Sequence, residues 1–283
     1  MKIVAYEANA DAGYGVWRDS GIIELDASFK ARYPDVRTLL EQQGVSALAA
    51  VVEGKTATLK LPGVKLAPPV QNPRKIFCVG LNYKSHVAET KRPDADYPSI
   101  FTRFADSLTA HEQPMLMPSG LSRMFDFEGE LAVIIGKRGR NIAQADASSH
   151  IAGYACFNDG TVRDWQRHSS QWTPGKNFQG TGALGPTLVT ADEVGDLSEL
   201  TLTTRLNGEV MQHASLADFI FPVPLIIEYL STFTTLNAGD VIATGTPGGV
   251  GDRRQPPLYM KPGDAVEVEI TRVGTLRNVI ASA

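Results

Sequence analysis

Cysteine is almost absent from this chain, with two in 283 residues, Cys78 and Cys156. Each lies inside an apolar run, KIFCVG and GYACFN, so both read as reduced core thiols and no disulfide framework organises the fold. Histidine is scarce, and no His or Cys falls at the ligand spacing of a zinc site. No block of Lys and Arg stands out and the formal net charge is -4, which argues against a nucleic-acid partner. No apolar run approaches the length of a membrane span, so no membrane partner is expected. The opening MKIVAYEANADAGYG carries no apolar h-region, so no signal peptide is expected and a cytoplasmic location is. What remains is an ordinary globular composition, 43% hydrophobic and 20% charged, in a chain long enough to bury a sizeable core.

Turn signals divide the chain. KIVAYE, YGVWRD and GIIELD read as short strands between Gly and Asp turns, and DVRTLLEQQG as a short helix with Asp35 as N-cap and Gly44 past its end. LAPPVQNPRK, with three prolines in ten residues, reads as a stiff linker. The spacing therefore predicts a small N-terminal unit over 1–68 and a larger one over 69–283. Beyond the linker, KIFCVGLN, SIFTRF, GELAVIIG, IAGYACFN and PTLVT are strand candidates, and YKSHVAET can form a short helix. LTLTTRLNGEVMQHAS alternates around Asn207-Gly208, the mark of a tight hairpin. DAVEVEITRVGTLRNVI alternates again, and FPVPLIIEYLSTFTTL is the best helix, expected to start after Pro224. Strands do not alternate with long helices, so a doubly wound parallel sheet is disfavoured and a mainly β, mixed α+β chain is expected.

One strand carries unexpected charge. FDFEGELAVIIGK places Asp126, Glu128 and Glu130 ahead of a run that is apolar and β-branched. Residues two apart on a strand share a face, and IAGYACFNDG offers a second strand ending at Asp159. If the two strands are neighbours, Glu128, Glu130 and Asp159 converge. Three desolvated carboxylates need a counter-charge, and all-oxygen ligands select a hard cation such as Mg, Mn or Ca. The spacing equally allows both glutamates to face solvent with Asp159 in a turn. Asp126 reads as a turn or cap residue.

Other polar groups suit acid–base work. His86 and Glu89 in NYKSHVAET share a helical face, so the carboxylate can orient the imidazole; an exposed helical pair has the same spacing. In NDGTVRDWQRHSSQWTPGKNF, Arg163 and Gln166 could share a face one turn from Asp159, and Lys176 follows Gly175, where the backbone can be held close. An ordinary polar loop anchored by Trp165 and Trp172 is the plainer reading. ATGTPGGVG lacks the phosphate-loop and dinucleotide patterns, and DRRQPPLYM after it cannot open a helix; a turn offering Thr244 or Thr246 to a ligand fits better.

GLNYKSHVAET, DFEGELAVIIGK, GYACFNDGTVRDWQ, GKNF, LGPTLVT, LNGEVMQ and GDVIATGTPGGVG occur in the order seen in the fumarylacetoacetate hydrolase family, which this chain resembles from about Pro73 to its C-terminus. The resemblance implies a twisted mixed β-roll of packed sheets with few helices, with a small α/β accessory domain before it, and a homodimer. It implies Mg or Mn, with Ca as a further option, on Glu128, Glu130 and Asp159. It implies substrate contacts from Arg163 and Gln166, charge stabilisation by Lys176, carboxylate binding by Thr246 and a dyad of His86 with Glu89. Many relatives have Phe-x-Lys where this chain has Phe101-Thr102-Arg103, so Arg103 is a further substrate-binding candidate. The expected activity is metal-dependent hydrolysis of a C–C bond in a 2,4-dioxo acid such as an acylpyruvate, giving pyruvate and a carboxylic acid. The alternative is decarboxylation, isomerisation or tautomerisation of a 2-oxo acid such as oxaloacetate through the same enolate.

Overall fold

The apolar runs pair into two mixed sheets. In the computed structural model, which describes all residues except 9, 10, 20, 62 and 91–94, most strands join one twelve-stranded sheet and five form a second. The centre of the large sheet is the strand Gly129–Ile135, buried at every position. It pairs antiparallel with Ile151–Asn158 on one side and with Val241–Ala243 on the other. The order continues outward through Ile76–Gly80 to the edge strand Ser99–Arg103, and through Gly182–Thr190 in the other direction. The second sheet runs Glu209–Ser215, Thr201–Leu206, Ala265–Ile270, Gly274–Ser282 and Met115–Met117. Its inward side chains, Leu202, Leu206, Val266, Val268, Ile270 and Leu276, pack with Leu131, Val133 and Ile135 of the central strand in one core. Strand residues of opposite parity, Ala132 and Ile134, face the other core, so the central strand is covered on both sides. The result is a mainly β fold of packed mixed sheets with short helices, as the motifs imply.

The N-terminal strand Lys2–Ala8 pairs with Gly182–Thr190, so the N-terminal residues extend the large sheet. Leu39, Leu40 and Leu48 from their helices pack in the same cluster as Ile76, Ala132 and Ile134. Asp35 caps the helix Val36–Glu41 by accepting Thr38 N–H at 2.6 Å. That helix stops earlier than Gly44 suggests, and Gln43 takes the left-handed conformation, φ 54°. The helix Val223–Phe233 also starts earlier than expected; Pro224 lies inside its first turn, where no N–H is needed. Asn207 and Gly208, at φ 53° and 83°, close the expected hairpin. Both cysteines are free and buried.

Candidate active site

The three carboxylates converge where the central strands end. Gly129 pairs with Asn158 and Glu130 with Phe157, and Asp159 N–H donates to Glu128 C=O at 2.8 Å. Carboxylate oxygens of Glu128, Glu130 and Asp159 all lie within 4.8 Å of one another, and all three residues are buried. They line a cleft of about 720 Å³ together with His86, Arg163, Gln166, Lys176 and Thr246.

Lys176 bridges two of the acids, its Nζ 2.5 Å from both Glu128 Oε2 and Asp159 Oδ2. It comes from the short helix Thr173–Lys176, which lies tight against the helix Arg163–Gln166. A Cβ on Gly175 would come within 2.4 Å of Gln166 N, so only glycine allows this approach. Arg163 reaches back from its helix: Nη2 lies 2.7 Å from Glu128 Oε1 and from Asp126 Oδ2, and Nη1 donates to Gln166 Oε1 at 3.1 Å. Burial alone would push the Glu128 carboxyl up, but Arg163 and Lys176 outweigh it and hold the group well below the usual carboxylate range. Glu130 makes no direct ion pair among the described residues. Burial, then Asp159 and Glu128, push its carboxyl up, and the nearby Lys176 ammonium and the Gly245 N–H at 2.8 Å offset them only in part. Gly245, at φ 104°, can take this turn because it has no side chain. A buried all-oxygen triad whose carboxylate oxygens lie within 4.8 Å of one another fits a hard divalent cation, with Glu128, Glu130 and Asp159 as the protein ligands that would hold it.

His86 and Glu89 lie on the helix Lys84–Thr90, with Nδ1 2.6 Å from Oε1. The other oxygen of Glu89 accepts Gly249 N–H at 2.9 Å, and Ser85 Oγ accepts Gly248 N–H at 3.1 Å. The glycine turn is therefore fastened to the helix that carries the imidazole. Thr246 lines the cleft, but its hydroxyl donates to Gly129 C=O at 2.9 Å and accepts from Gln212 Nε2 at 2.8 Å. Arg103 lies behind the triad, outside the cleft lining. Its guanidinium reaches Asp159 Oδ1 at 2.6 Å, Gly160 C=O, Ser107 and Thr181, so it holds a carboxylate of the protein in place.

Two site-building residues escape the sequence reading. Asp126, read as a turn or cap residue, is fully buried and is a hub. Its carboxylate takes Arg163 Nε at 2.8 Å and the backbone N–H groups of Phe127, Gly251 and Asp252 at 2.8–2.9 Å. Its parity with Glu128 and Glu130 was the available signal. Gln212 is the other: Oε1 accepts Gly129 N–H at 3.0 Å, while Nε2 donates to Thr246 Oγ1 and Pro247 C=O.

The family model for the C-terminal region of fumarylacetoacetate (FAA) hydrolase matches residues 75–281. Oxaloacetate tautomerase FAHD2A, mitochondrial, of Bos taurus is 38% identical over 289 residues, covering 99% of this chain and 91% of that protein. Its counterpart of the same name in Homo sapiens is likewise 38% identical over the same coverage. The maleylpyruvate hydrolase of Sphingobium sp. SYK-6, solved in complex with a manganese(II) ion and pyruvate, superposes with a TM-score of 0.83 at 28% identity, covering 100% of both chains. The two tautomerases are named as mitochondrial, which overturns the expectation of a cytoplasmic location: a missing apolar h-region bears on secretory signals alone. The relatives include a hydrolase as well as tautomerases, so the hydrolytic class does not follow from membership. With the matched model and full-length relatives added to the site, this chain belongs to the fumarylacetoacetate hydrolase family.

Proposed function

We propose that this protein is a metal-dependent enzyme that interconverts the keto and enol forms of a 2-oxo dicarboxylic acid, oxaloacetate or a close analogue. The reading rests on one observation above the others: His86, held by Glu89, lines the same cleft as the acidic triad, in a chain 38% identical along its length to oxaloacetate tautomerases. A divalent cation held by Glu128, Glu130 and Asp159 would supply Lewis-acid polarisation of the substrate's 2-oxo group. Glu89 holds Nδ1 of His86 and leaves Nε2 to exchange a proton with the substrate carbon next to the carbonyl. Lys176 has two of its three N–H donors on Glu128 and Asp159, and the third is available for negative charge developing on the carbonyl oxygen. Burial would lower the Lys176 pKa, but Asp159 and Glu128 raise it above its ordinary value, so it acts as a fixed positive charge. Arg163 and Gln166 line the same cleft and orient the carboxylate end of the substrate. The proton leaves carbon and a proton reaches oxygen, so no water is consumed and no C–C bond breaks.

Hydrolysis of a C–C bond is the second reading. It has the maleylpyruvate hydrolase likeness behind it, and it would use the same dyad to deprotonate water. The test follows oxaloacetate enol decay by ultraviolet absorbance with Mg or Mn, alongside acid release from maleylpyruvate and acylpyruvates. Fast ketonisation without acid release is expected. Acid release with ketonisation no faster than the buffer rate would reverse the assignment.

A further inference from the structure

The cations around the cleft differ in how much of their hydrogen-bonding capacity the protein uses. Arg103 spreads its donors over five contacts, Arg163 is shared among Asp126, Glu128 and Gln166, and Lys176 holds two carboxylates. Arg167 and Arg253 are different. Arg167 makes one side-chain contact among the described residues, Nη2 to Asp252 Oδ2 at 2.5 Å. Arg253 makes one as well, with Nε 3.5 Å from the same oxygen, beyond a strong hydrogen bond. Each guanidinium carries five N–H donors in a planar fork. Two of them therefore lean on a single carboxylate with most donors unspent, and both line the cleft.

Asp252 is built to hold this pair. Its side chain is 5% exposed, Tyr259 Oη donates to its other oxygen at 2.8 Å, and its own N–H donates to Asp126. Burial would raise its carboxyl, but Arg167, Tyr259 and Arg163 outweigh this and hold it below its ordinary value, so it stays ionised. Asp126 in turn holds Arg163, which touches Glu128. One run of contacts thus fixes the two arginines relative to the acidic triad. The cleft lining contains four acidic and four basic side chains and is balanced without ligands. A divalent cation on the triad would leave two positive charges over, which matches a dianion.

We infer that Arg167 and Arg253 bind the second carboxylate of a 2-oxo dicarboxylate and set the preference for a diacid over a monoacid. The inference rests on the proposed tautomerase reading for its substrate class. A carboxylate accepts two parallel N–H bonds from a guanidinium, and the unspent forks supply this geometry. Asp252 keeps the two cations together, and the incoming carboxylate completes their donor sets.

The test compares 2-oxoglutarate with 2-oxopentanoate, equal in length and differing by one carboxylate. Dissociation constants are measured by calorimetry on the Mn-loaded protein for wild type, Arg253→Gln, Arg167→Gln and the double variant. The side chains of Arg167 and Arg253 are 47% and 40% exposed, so all variants should fold, and melting curves check this. A lost charge-assisted hydrogen bond should weaken the diacid about tenfold or more in Arg253→Gln or Arg167→Gln, leaving the monoacid within about twofold. Equal weakening of both acids, or no selective loss even in the double variant, would overturn the inference. If wild type prefers the diacid and the variants lose that preference, but oxaloacetate is not tautomerised, the carboxylate site stands and the tautomerase reading fails.

Discussion

His86 Nδ1 lies 2.6 Å from Glu89 Oε1, and the second oxygen of the same carboxylate holds the glycine turn through Gly249 N–H. One side chain thus orients the proposed base and fastens the loop that carries Gly245 and Thr246. Glu89→Gln keeps the shape and one acceptor but removes the charge that favours the correct imidazole orientation. It should lower kcat for oxaloacetate ketonisation by about 10²–10⁴-fold, the usual worth of a general base. His86→Asn should do the same, and both variants should keep Mn affinity by calorimetry, since neither residue is a proposed ligand. Wild-type turnover in Glu89→Gln would remove the dyad from the mechanism.

A cation bound only by the folded chain must raise its melting temperature. Wild type should therefore gain thermal stability on Mn titration, and a chelator should reverse the gain along with activity. Glu130→Gln retains an acceptor for Gly245 N–H and relieves repulsion with Asp159 and Glu128. Its metal-free melting point should be at or above that of wild type, while the Mn-dependent gain disappears. A variant that still responds to Mn as wild type does would place the cation elsewhere.

Asp126→Asn tests the hub. The substitution keeps the size but leaves Arg163, buried in the same place, with one fewer anion, and breaking a buried ion pair costs about 3 kcal/mol. Urea denaturation should show a loss of this order. KM should rise more than kcat falls, because Asp126 touches Arg163 and the Gly251–Asp252 backbone and does not line the cleft. Unchanged stability would mean that Asp126 carries no charge in the folded protein.

What the sequence made legible follows the range of the interactions. Glu128 and Glu130 share a face because a strand has period two, and Asn207-Gly208 closes a hairpin because the turn demands φ above zero; both are local rules. The place of Arg103 depends on Asp159, 56 residues away, and Asp126 depends on Gly251, 125 residues away. No local periodicity encodes such pairs, so the first is expected in the cleft and lies behind it, and the second reads as a cap and is a hub. The seven ordered motifs supplied what spacing alone left open at the triad. They could not separate tautomerase from hydrolase, because the same carboxylates and the same dyad would serve either proposed chemistry.

His111 carries a pH dependence of stability that is separate from the site. Its Nδ1 accepts Arg277 N–H at 3.0 Å, which requires that nitrogen to be unprotonated. Burial, aided by Arg277 and opposed by Glu112, holds its pKa below the ordinary histidine value. Below about pH 6.5 the unfolded chain then takes up a proton that the folded chain resists. The contribution is fully present above that pH and is lost as pH falls toward the folded value. Urea midpoints should decline from pH 7.5 to pH 5.5, and His111→Asn, whose Oδ1 can accept the same N–H, should decline less. Identical slopes would assign the pH dependence to other groups.

Lys176 tests the proposed chemistry most directly, because its ammonium holds two carboxylates of the triad and lines the cleft. Lys176→Met fills similar volume without charge and leaves Glu128 and Asp159 facing each other unbridged. Two opposing effects follow. The acidic triad becomes more negative, so Mn should bind at least as tightly as in wild type. The developing negative charge on the substrate oxygen loses its fixed cation, an interaction stronger in the transition state than in the ground state. Turnover of oxaloacetate should therefore fall by about 10²-fold or more, the scale of losing one such donor, while KM rises much less. Calorimetry with Mn separates the two effects, since a variant that has merely lost its metal would regain activity at high Mn. Retained metal with lost turnover assigns Lys176 to the chemical step. Wild-type turnover with retained metal would reduce it to a counter-ion that keeps the triad folded until the cation arrives.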